Sequence, residues 1–312
     1  MVQTRSMSRI RKTCTEAAKH WRLYVFLLVP LIYLITFKYV PMVGLQIAFR
    51  DFKANLGMSG SKWVGLKHFG KFIDSFYFSR ILRNNVLLSL YGTFSGFAIS
   101  IIFALELNSV ISKRFRSVIE NITYIPHFIS AVVMVGIIRQ VLDVHSGLFA
   151  TLWTAVVGTD VPNLMESPTL FPHLYVWSGI WQSTGWSSII YVAALSDVNP
   201  ELHEAAELDG AGRFSRLIHI DLPAIVPTIT ITLILACGKI MEIGFDKIYL
   251  MQNSMNLETS EVFSTYVYKV GLGSGGDFSY GAAIGLLQSV TNLILILFVN
   301  KIADRINGNS LW

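Results

Sequence analysis

Charged side chains are scarce in this chain. Asp, Glu, Lys and Arg together make up 14% of its 312 residues, whereas a soluble domain usually carries about 25%. Hydrophobic residues make up 53% of the chain. This balance excludes an ordinary soluble domain and indicates a membrane protein. We therefore expect lipid, and no nucleic acid, among its partners.

Cysteine and the common catalytic motifs are also nearly absent. Cys14 lies in a basic N-terminal segment and Cys237 in an apolar run, so no disulfide, zinc or redox role is indicated. The chain has no G-x-x-x-x-G-K-[ST], H-E-x-x-H or G-x-S-x-G motif. A G-x-G-x-x-G match at 271–276 has no strand before it and is discounted. We predict no catalytic residue, no metal site and no cofactor bound by this chain.

Six apolar runs approach the roughly 20 residues that a membrane-crossing helix requires. They are 22–40, 85–107, 122–142, 171–195, 222–245 and 280–302. The sequence therefore predicts an all-α fold, a polytopic membrane bundle of six transmembrane helices. We expect a basic tail at 1–21 and one transmembrane domain at 22–312, with an outer loop at about 41–84 and a cytoplasmic loop at about 196–221. An 11-residue apolar run at 147–157 is too short to span and predicts an interfacial or re-entrant helix.

The first apolar run follows a basic segment, and no small-x-small cleavage site comes after it. This pattern is typical of an uncleaved signal anchor. Six spans then place both termini in the cytoplasm. The distribution of Lys and Arg supports that orientation only weakly, because the outer loop is itself basic.

The cytoplasmic loop carries helix signals. Asn199 and Pro200 suit a helix start, Glu201 and Glu204 suit its first turns, and Gly210 suits the position just after its end. These signals predict a helix of roughly ten residues, about 15 Å long. On periodicity alone, an ordinary amphipathic connector between two spans explains the loop equally well.

The order of residues in this loop is more specific than its periodicity. It reads E-A-A-x-x-x-G-x(9)-I-x-L-P, and resembles the cytoplasmic signature of permease subunits in binding-protein-dependent ABC importers. The resemblance implies that the helix is a coupling helix, which sits in a groove of a cytoplasmic ATPase. The residues that the resemblance assigns to ATPase coupling are Glu204, Ala205, Ala206, Asp209, Gly210 and Ala211.

The resemblance extends over nearly the whole chain from about Trp21 onward. Segments at 38–42, 44–49, 126–130, 178–186, 266–268, 271–273 and 310–312 are similar to permeases that import oligo- and polysaccharides. It implies the type I ABC importer permease fold in a bacterial inner membrane. It also implies three partners: a second homologous permease, an ATPase dimer that binds ATP and Mg²⁺, and an extracellular or periplasmic sugar-binding protein.

Three groups of polar or aromatic residues within the spans are candidates for the substrate path. Aromatic faces and amides suit sugars, although Trp also anchors helices at membrane surfaces and amides also join helices. Ionisable residues in a span usually face a wet pathway, or else pair within the bundle as Lys239 and Glu242 would on one helix. The candidates are Trp177, Trp181, Gln182, Lys239, Glu242, Gln288 and Asn292.

The outer loop gives an indication of the substrate. Between Lys38 and Arg83 the chain has eight Lys and Arg residues but only Asp51 and Asp74 as acids, and a cationic entrance concentrates anionic ligands. We hypothesise an alginate-like oligosaccharide that contains uronate. Neutral oligosaccharides are the alternative, with the charges binding lipid headgroups or an acidic binding protein. An ion-coupled carrier and a glycan-processing membrane enzyme are competing functions, but neither inverted repeats nor paired catalytic carboxylates support them.

Overall fold

The computed structural model describes residues 19–273 and 276–307. The chain clusters into two compact units that divide after Lys67, and each is described by itself. Most of the predicted basic tail, with Cys14, lies outside the described residues, as do the terminal residues 308–312. The prediction of a single domain at 22–312 stays a prediction.

The first unit begins with one apolar helical run, Trp21–Phe49. It consists of α1 (Trp21–Leu34), a π-helical turn (Ile35–Tyr39), α2 (Val40–Met42) and a 3₁₀ segment (Val43–Phe49). Pro41 lies just after the π-helical turn, where its missing N–H prevents regular α-helical hydrogen bonding. Side chains are exposed all round most of the run, as expected of a helix that lies in lipid.

A short hairpin follows. Strand β1 (Arg50–Asp51) pairs antiparallel with β2 (Lys62–Trp63), and α3 (Gly57–Gly60) lies between them. The guanidinium of Arg50 lies 5.4 Å from the centre of the Trp63 ring and donates hydrogen bonds to two backbone carbonyls of the connection. The outer loop therefore has local structure of its own within an otherwise helical chain.

The second unit is helical. Ser130 caps the helix that begins at Ala131 by accepting a hydrogen bond from the backbone N–H of Val133 at 3.3 Å. The helices are α4 (Lys67–Ile73), α5 (Phe76–Asn108), α6 (Lys113–Tyr124), α7 (Ala131–Leu142), α8 (Leu148–Val156), α9 (Phe171–Ser196), α10 (Pro200–Leu208), α11 (Arg213–Arg216), α12 (Leu222–Cys237), α13 (Phe245–Met251), α14 (Leu257–Ser260), α15 (Phe263–Gly271) and α16 (Phe278–Asn307). Helix α8 coincides with the predicted short helix at 147–157.

Four helices in the described chain are long and apolar enough to cross a membrane: Trp21–Phe49, Phe76–Asn108, Arg213–Cys237 and Phe278–Arg305. The fourth predicted span is α9, whose 26 residues are long enough to cross but whose Trp, Ser and Gln side chains make it less apolar. These helices confirm a polytopic helical bundle.

The prediction of one continuous helix at 122–142 is wrong. Helix α6 and a 3₁₀ turn (Ile125–Phe128) are bent by 100° from α7. Pro126 removes a backbone donor at this point, and Ser130 begins a new helix. The third predicted span is therefore a pair of helices separated by a sharp bend.

The fifth predicted span, 222–245, is also interrupted, because α12 ends at Cys237. Gly238 lies so close to α16 that an added Cβ would approach Cδ1 of Ile296 to 2.6 Å. Residues 238–244 are not helical. Lys239 and Glu242 therefore lie in the break, and they do not share one helix as the sequence indicated.

The most extensive helix packing in the second unit is between α5 and α9. The core consists of three buried clusters. One joins α4, α5, α15 and α16 around Phe72, Phe263 and Ile284. The second joins α5, α7, α9 and α13 through residues such as Leu88, and the third joins α5, α9 and α12 through residues such as Ile225. Helices α5 and α9 thus pack together, and α12, after which the fifth predicted span is interrupted, packs against them.

Candidate functional site

Helix α10, in the loop predicted to be cytoplasmic, begins where the sequence predicts. Oδ1 of Asn199 accepts a hydrogen bond from the backbone N–H of Glu201 at 3.0 Å, and Pro200 occupies the first helical position. The cap satisfies a backbone donor that the helix itself leaves unpaired. The predicted start is confirmed.

The end of α10 is fixed by Gly210. Its φ of 81° lies in the left-handed region that favours glycine. The N–H of Gly210 donates to the carbonyl of Glu207 at 3.0 Å, and the N–H of Ala211 donates to that of Ala206 at 2.8 Å. This pair of bonds is a Schellman motif, and it confirms the predicted stop at Asp209 and Gly210.

One face of α10 points away from the helices. Glu201, Ala205 and Leu208 follow one another at spacings of four and three, so they share this face, and all three are exposed. Leu208 is 91% exposed, and the nearby Phe214 is 74% exposed. An apolar patch in an otherwise polar loop is typical of a docking surface. Of the signature residues, Glu204, Ala205, Asp209 and Gly210 are exposed, while Ala206 and Ala211 are half-buried.

The opposite face of α10 is bonded to the start of the fifth span. Nη1 of Arg216 lies 2.6 Å from Oε1 of Glu207, and Nε2 of His203 lies 3.3 Å from Oδ1 of Asp221. Arg213 donates to the carbonyl of Ser109, at the end of α5. The sequence reasoning missed these contacts, because no spacing rule joins residues nine or more positions apart. His203 and Glu207 thus connect α10 to the residues that lead into α12, and Arg213 connects α11 to the end of α5.

Trp177 and Trp181 line an apolar groove of about 450 Å³ between α7 and α9. Nε1 of Trp177 donates to the hydroxyl of Tyr91 at 2.8 Å, and that hydroxyl lies 2.9 Å from Nδ1 of His173. The groove is lined mainly by aliphatic side chains such as Ile137. These surroundings favour helix packing or membrane anchoring for the two indoles over contact with sugar.

Gln182 forms a hydrogen bond at the bend between α6 and α7. Its Nε2 donates to the carbonyl of Ile129 at 2.7 Å. The residue therefore holds α9 against the break between α6 and α7.

Three of the remaining candidates meet at the backbone of Met241, in the break after α12. Oδ1 of Asn292 accepts from the N–H of Met241 at 3.0 Å, and Gln288 donates to its carbonyl. Nδ2 of Asn292 also lies 3.3 Å from Oε1 of Glu242. Among the described residues no ion pair joins Glu242 to Lys239, and Lys239 is exposed. The expected Lys239–Glu242 pair is therefore replaced by an amide contact.

The sequence analysis overlooked a cavity of about 430 Å³ between α5, α9 and α12. Hydroxyl groups line much of it, and those of Tyr191 and Thr232 lie 3.1 Å apart. Ser183, Ser187 and Tyr191 recur at four-residue spacing along α9, which is the signal that would have found it. Its hydroxyl-bearing residues are Thr93, Ser100, Ser183, Ser187, Tyr191 and Thr232.

Comparisons with known proteins place the chain in a family. Residues 96–308 match the family described as the inner membrane component of binding-protein-dependent transport systems. The chain belongs to this family, and it is therefore a translocating subunit of an ABC importer, not the subunit that hydrolyses ATP.

Individual relatives are similar over almost their full length. The polygalacturonan/rhamnogalacturonan transport system permease protein YteP of Bacillus subtilis is 40% identical over 93% of this chain and 90% of its own. Protein LplB of the same organism is 39% identical over 93% and 91%. A solved bacterial ABC transporter involved in the import of the acidic polysaccharide alginate matches with a TM-score of 0.87 and 35% identity, over 95% of this chain and 99% of that one. These matches confirm the permease fold, while the roles of individual residues stay predictions.

Proposed function

We propose that this chain passes acidic, uronate-containing oligosaccharides from a solute-binding protein into the cytoplasm. The observation that carries the proposal is the shared chemistry of two relatives. One relative is named for a galacturonate polymer, and the solved relative for the acidic polysaccharide alginate. Pectic and alginate-like oligomers both carry a carboxylate on their sugar rings, so we propose the class and not one polymer.

Energy for transport comes from a partner ATPase dimer, which binds ATP and Mg²⁺, while this chain contributes no cofactor. The exposed face of α10, with Ala205 and Leu208, docks onto that partner. Movement then reaches the fifth span through the Arg216–Glu207 and His203–Asp221 contacts. Because these two contacts flank the Schellman turn, α10 and the start of α12 move as one body.

The importer also contains a second, homologous permease. A solved relative was captured with a periplasmic protein bound to an alginate pentasaccharide, which supports a binding protein as the donor of substrate. The exposed apolar run Trp21–Phe49 suits lipid or the second permease. Both termini of this chain lie in the cytoplasm, as the six-span topology requires.

Neutral oligosaccharides are the second candidate. The hydroxyl-lined cavity between α5, α9 and α12 contains no charged side chain, and hydroxyl groups bind neutral sugars as readily as acidic ones. The arabinooligosaccharide permease AraP of Bacillus subtilis is 28% identical over 68% of this chain. The outer loop also carries less unpaired positive charge than its composition suggests, because Lys67, Lys71 and Arg80 pair with carboxylates.

Transport by the whole importer in proteoliposomes separates these candidates. We expect uptake and ATPase stimulation by galacturonate or alginate oligomers loaded on the binding protein, and much weaker responses to carboxyl-reduced oligomers of equal length. Equal responses to the acidic and reduced oligomers would favour the neutral alternative. Uptake without ATP, driven by an ion gradient, would refute the importer mechanism itself.

A further inference from the structure

Lys247 is a half-buried cation on α13, the short helix after the fifth span. Its Nζ donates to the backbone carbonyl of Tyr175 on α9 at 2.9 Å and lies 4.9 Å from the centre of the Tyr175 ring. A lysine ammonium has three N–H donors. The contacts described for Lys247 use one of them, so the ammonium is held in place with hydrogen-bonding capacity to spare.

Several cations of the second unit have carboxylate partners. Arg80 and Lys269 both pair with the buried Glu261, and Lys71 pairs with Asp277. Within the described part of the chain, no acid lies within ion-pair distance of Lys247. Burial lowers the pKa of Lys247 to about 8, so the ammonium is still mostly charged at neutral pH. A half-buried charge without a counter-ion costs stability, and a bound carboxylate would offset that cost.

The ammonium lies directly against the backbone of α9. A Cβ added to Gly179 would lie 3.2 Å from Nζ of Lys247, which is tighter than an ordinary contact, so the lack of a side chain at this glycine lets the ammonium pack here. Tyr175, Gly179, Gln182 and Trp186 share one face of α9, at spacings of four, three and four. Trp186 is 47% exposed. The ammonium is therefore the charged group on a helix face where the Gln182 amide donates to Ile129 and the Trp186 ring stacks on His127.

We propose that Lys247 is a specificity-determining residue whose ammonium, held against Gly179, binds the carboxylate of an acidic saccharide during its passage. This inference rests on the proposed function and names the group that selects acidic over neutral substrates. It replaces Lys239, which the sequence favoured but which lies exposed in the break after α12. Binding here needs only charge and hydrogen bonding, with no covalent step.

The test compares acidic sugars with neutral derivatives of the same shape. The whole importer in proteoliposomes is offered trimers of galacturonate and of alginate, and their methyl esters, at neutral pH. We expect Lys247→Gln to lower the uptake efficiency of an acidic trimer at least about tenfold, as for loss of a charged hydrogen bond, with little change for its ester. Lys247→Arg should restore most of the difference. Lys301→Gln, the same substitution at an exposed lysine of α16, should change neither.

Gly179→Ala is a second, independent arm, because the added methyl group crowds the ammonium without removing its charge. It should also lower uptake of the acid more than that of the ester. An equal fall for acid and ester in Lys247→Gln would mean a structural role and would overturn the proposal, as would no fall at all. A wild-type importer that takes up neither acid nor ester would refute the proposed function, and with it the role of Lys247.

Discussion

Replacing Gly210 with proline should uncouple ATP hydrolysis from transport while leaving the chain in the membrane. The glycine has φ of 81°, whereas proline is fixed near −65°. The substitution also removes the N–H that bonds to Glu207 at 3.0 Å. A proline that conflicts with its backbone costs about 3 kcal/mol or more, and the lost hydrogen bond adds roughly 1 kcal/mol. The Schellman turn cannot form at that cost, so α10 loses its defined end.

Two matched variants grade the effect. An added Cβ at Gly210 meets nothing within 4 Å, so Gly210→Ala carries only the left-handed backbone penalty of about 1–2 kcal/mol. Gly212 has φ of −67°, which proline accepts, so Gly212→Pro should be tolerated. We therefore expect coupling to fall in the order wild type, Gly212→Pro, Gly210→Ala, Gly210→Pro.

The assay is the whole importer in proteoliposomes, with ATPase rate and uptake measured on the same preparation. Membrane insertion of each variant is confirmed first, since the turn lies outside the spans. Wild-type substrate-stimulated ATPase and uptake in Gly210→Pro would refute the reasoning. Equal damage from Gly212→Pro would show that proline harms this loop without regard to backbone conformation.

Four further outcomes are expected. Glu204→Lys should reach the membrane but lose substrate-stimulated ATPase, and a normal response would count against docking by α10. Arg216→Glu should reduce uptake several-fold, and Glu207→Arg in the same chain should restore part of it; no rescue would show that the pair carries no coupling. Asn292→Ala should lower the free energy of unfolding by about 1–3 kcal/mol, measured by thermal unfolding in detergent. The reason is that the N–H of Met241 and the carboxylate of Glu242 lose the amide to which they bond. The pKa of Lys247 falls from 10.5 to about 8 in the folded chain, so the unfolded chain binds more protons between those two pH values and the free energy of unfolding should rise with pH in that window. Uptake of acidic over neutral oligomers should fall as the pH passes 8. Lys247→Gln should abolish both trends.

The bounds of α10 could be predicted because every signal for them is local. Asn199, Pro200 and Gly210 act on backbone groups within a few positions of themselves. Four of the predicted spans were likewise visible as runs of apolar residues, where the structure has long apolar helices. The substitution-tolerant and intolerant positions of the loop follow from the same local geometry.

The interruption after Cys237 could not be predicted in the same way. The contacts that hold Met241 come from Asn85 and Asn292, more than 50 positions away in sequence on either side. The same limit explains why Lys239, and not Lys247, was a candidate for the substrate path. Both lysines lie in an apolar segment, and no local signal in the sequence separates them. Only the packing of α13 against α9 places the ammonium of Lys247 at Tyr175.

The break at 238–244 gives the fifth span a pivot. In a continuous helix, tilting one half against the other opens a ladder of backbone bonds, and each opened bond must find another partner. Here the N–H and carbonyl of Met241 are bonded to flexible amide side chains of Asn85, Gln288 and Asn292, which can follow the backbone by changing rotamer. Movement at the end of α12 nearest α10 can thus be absorbed at this pivot, so that α13 and α15 keep their positions while α12 swings.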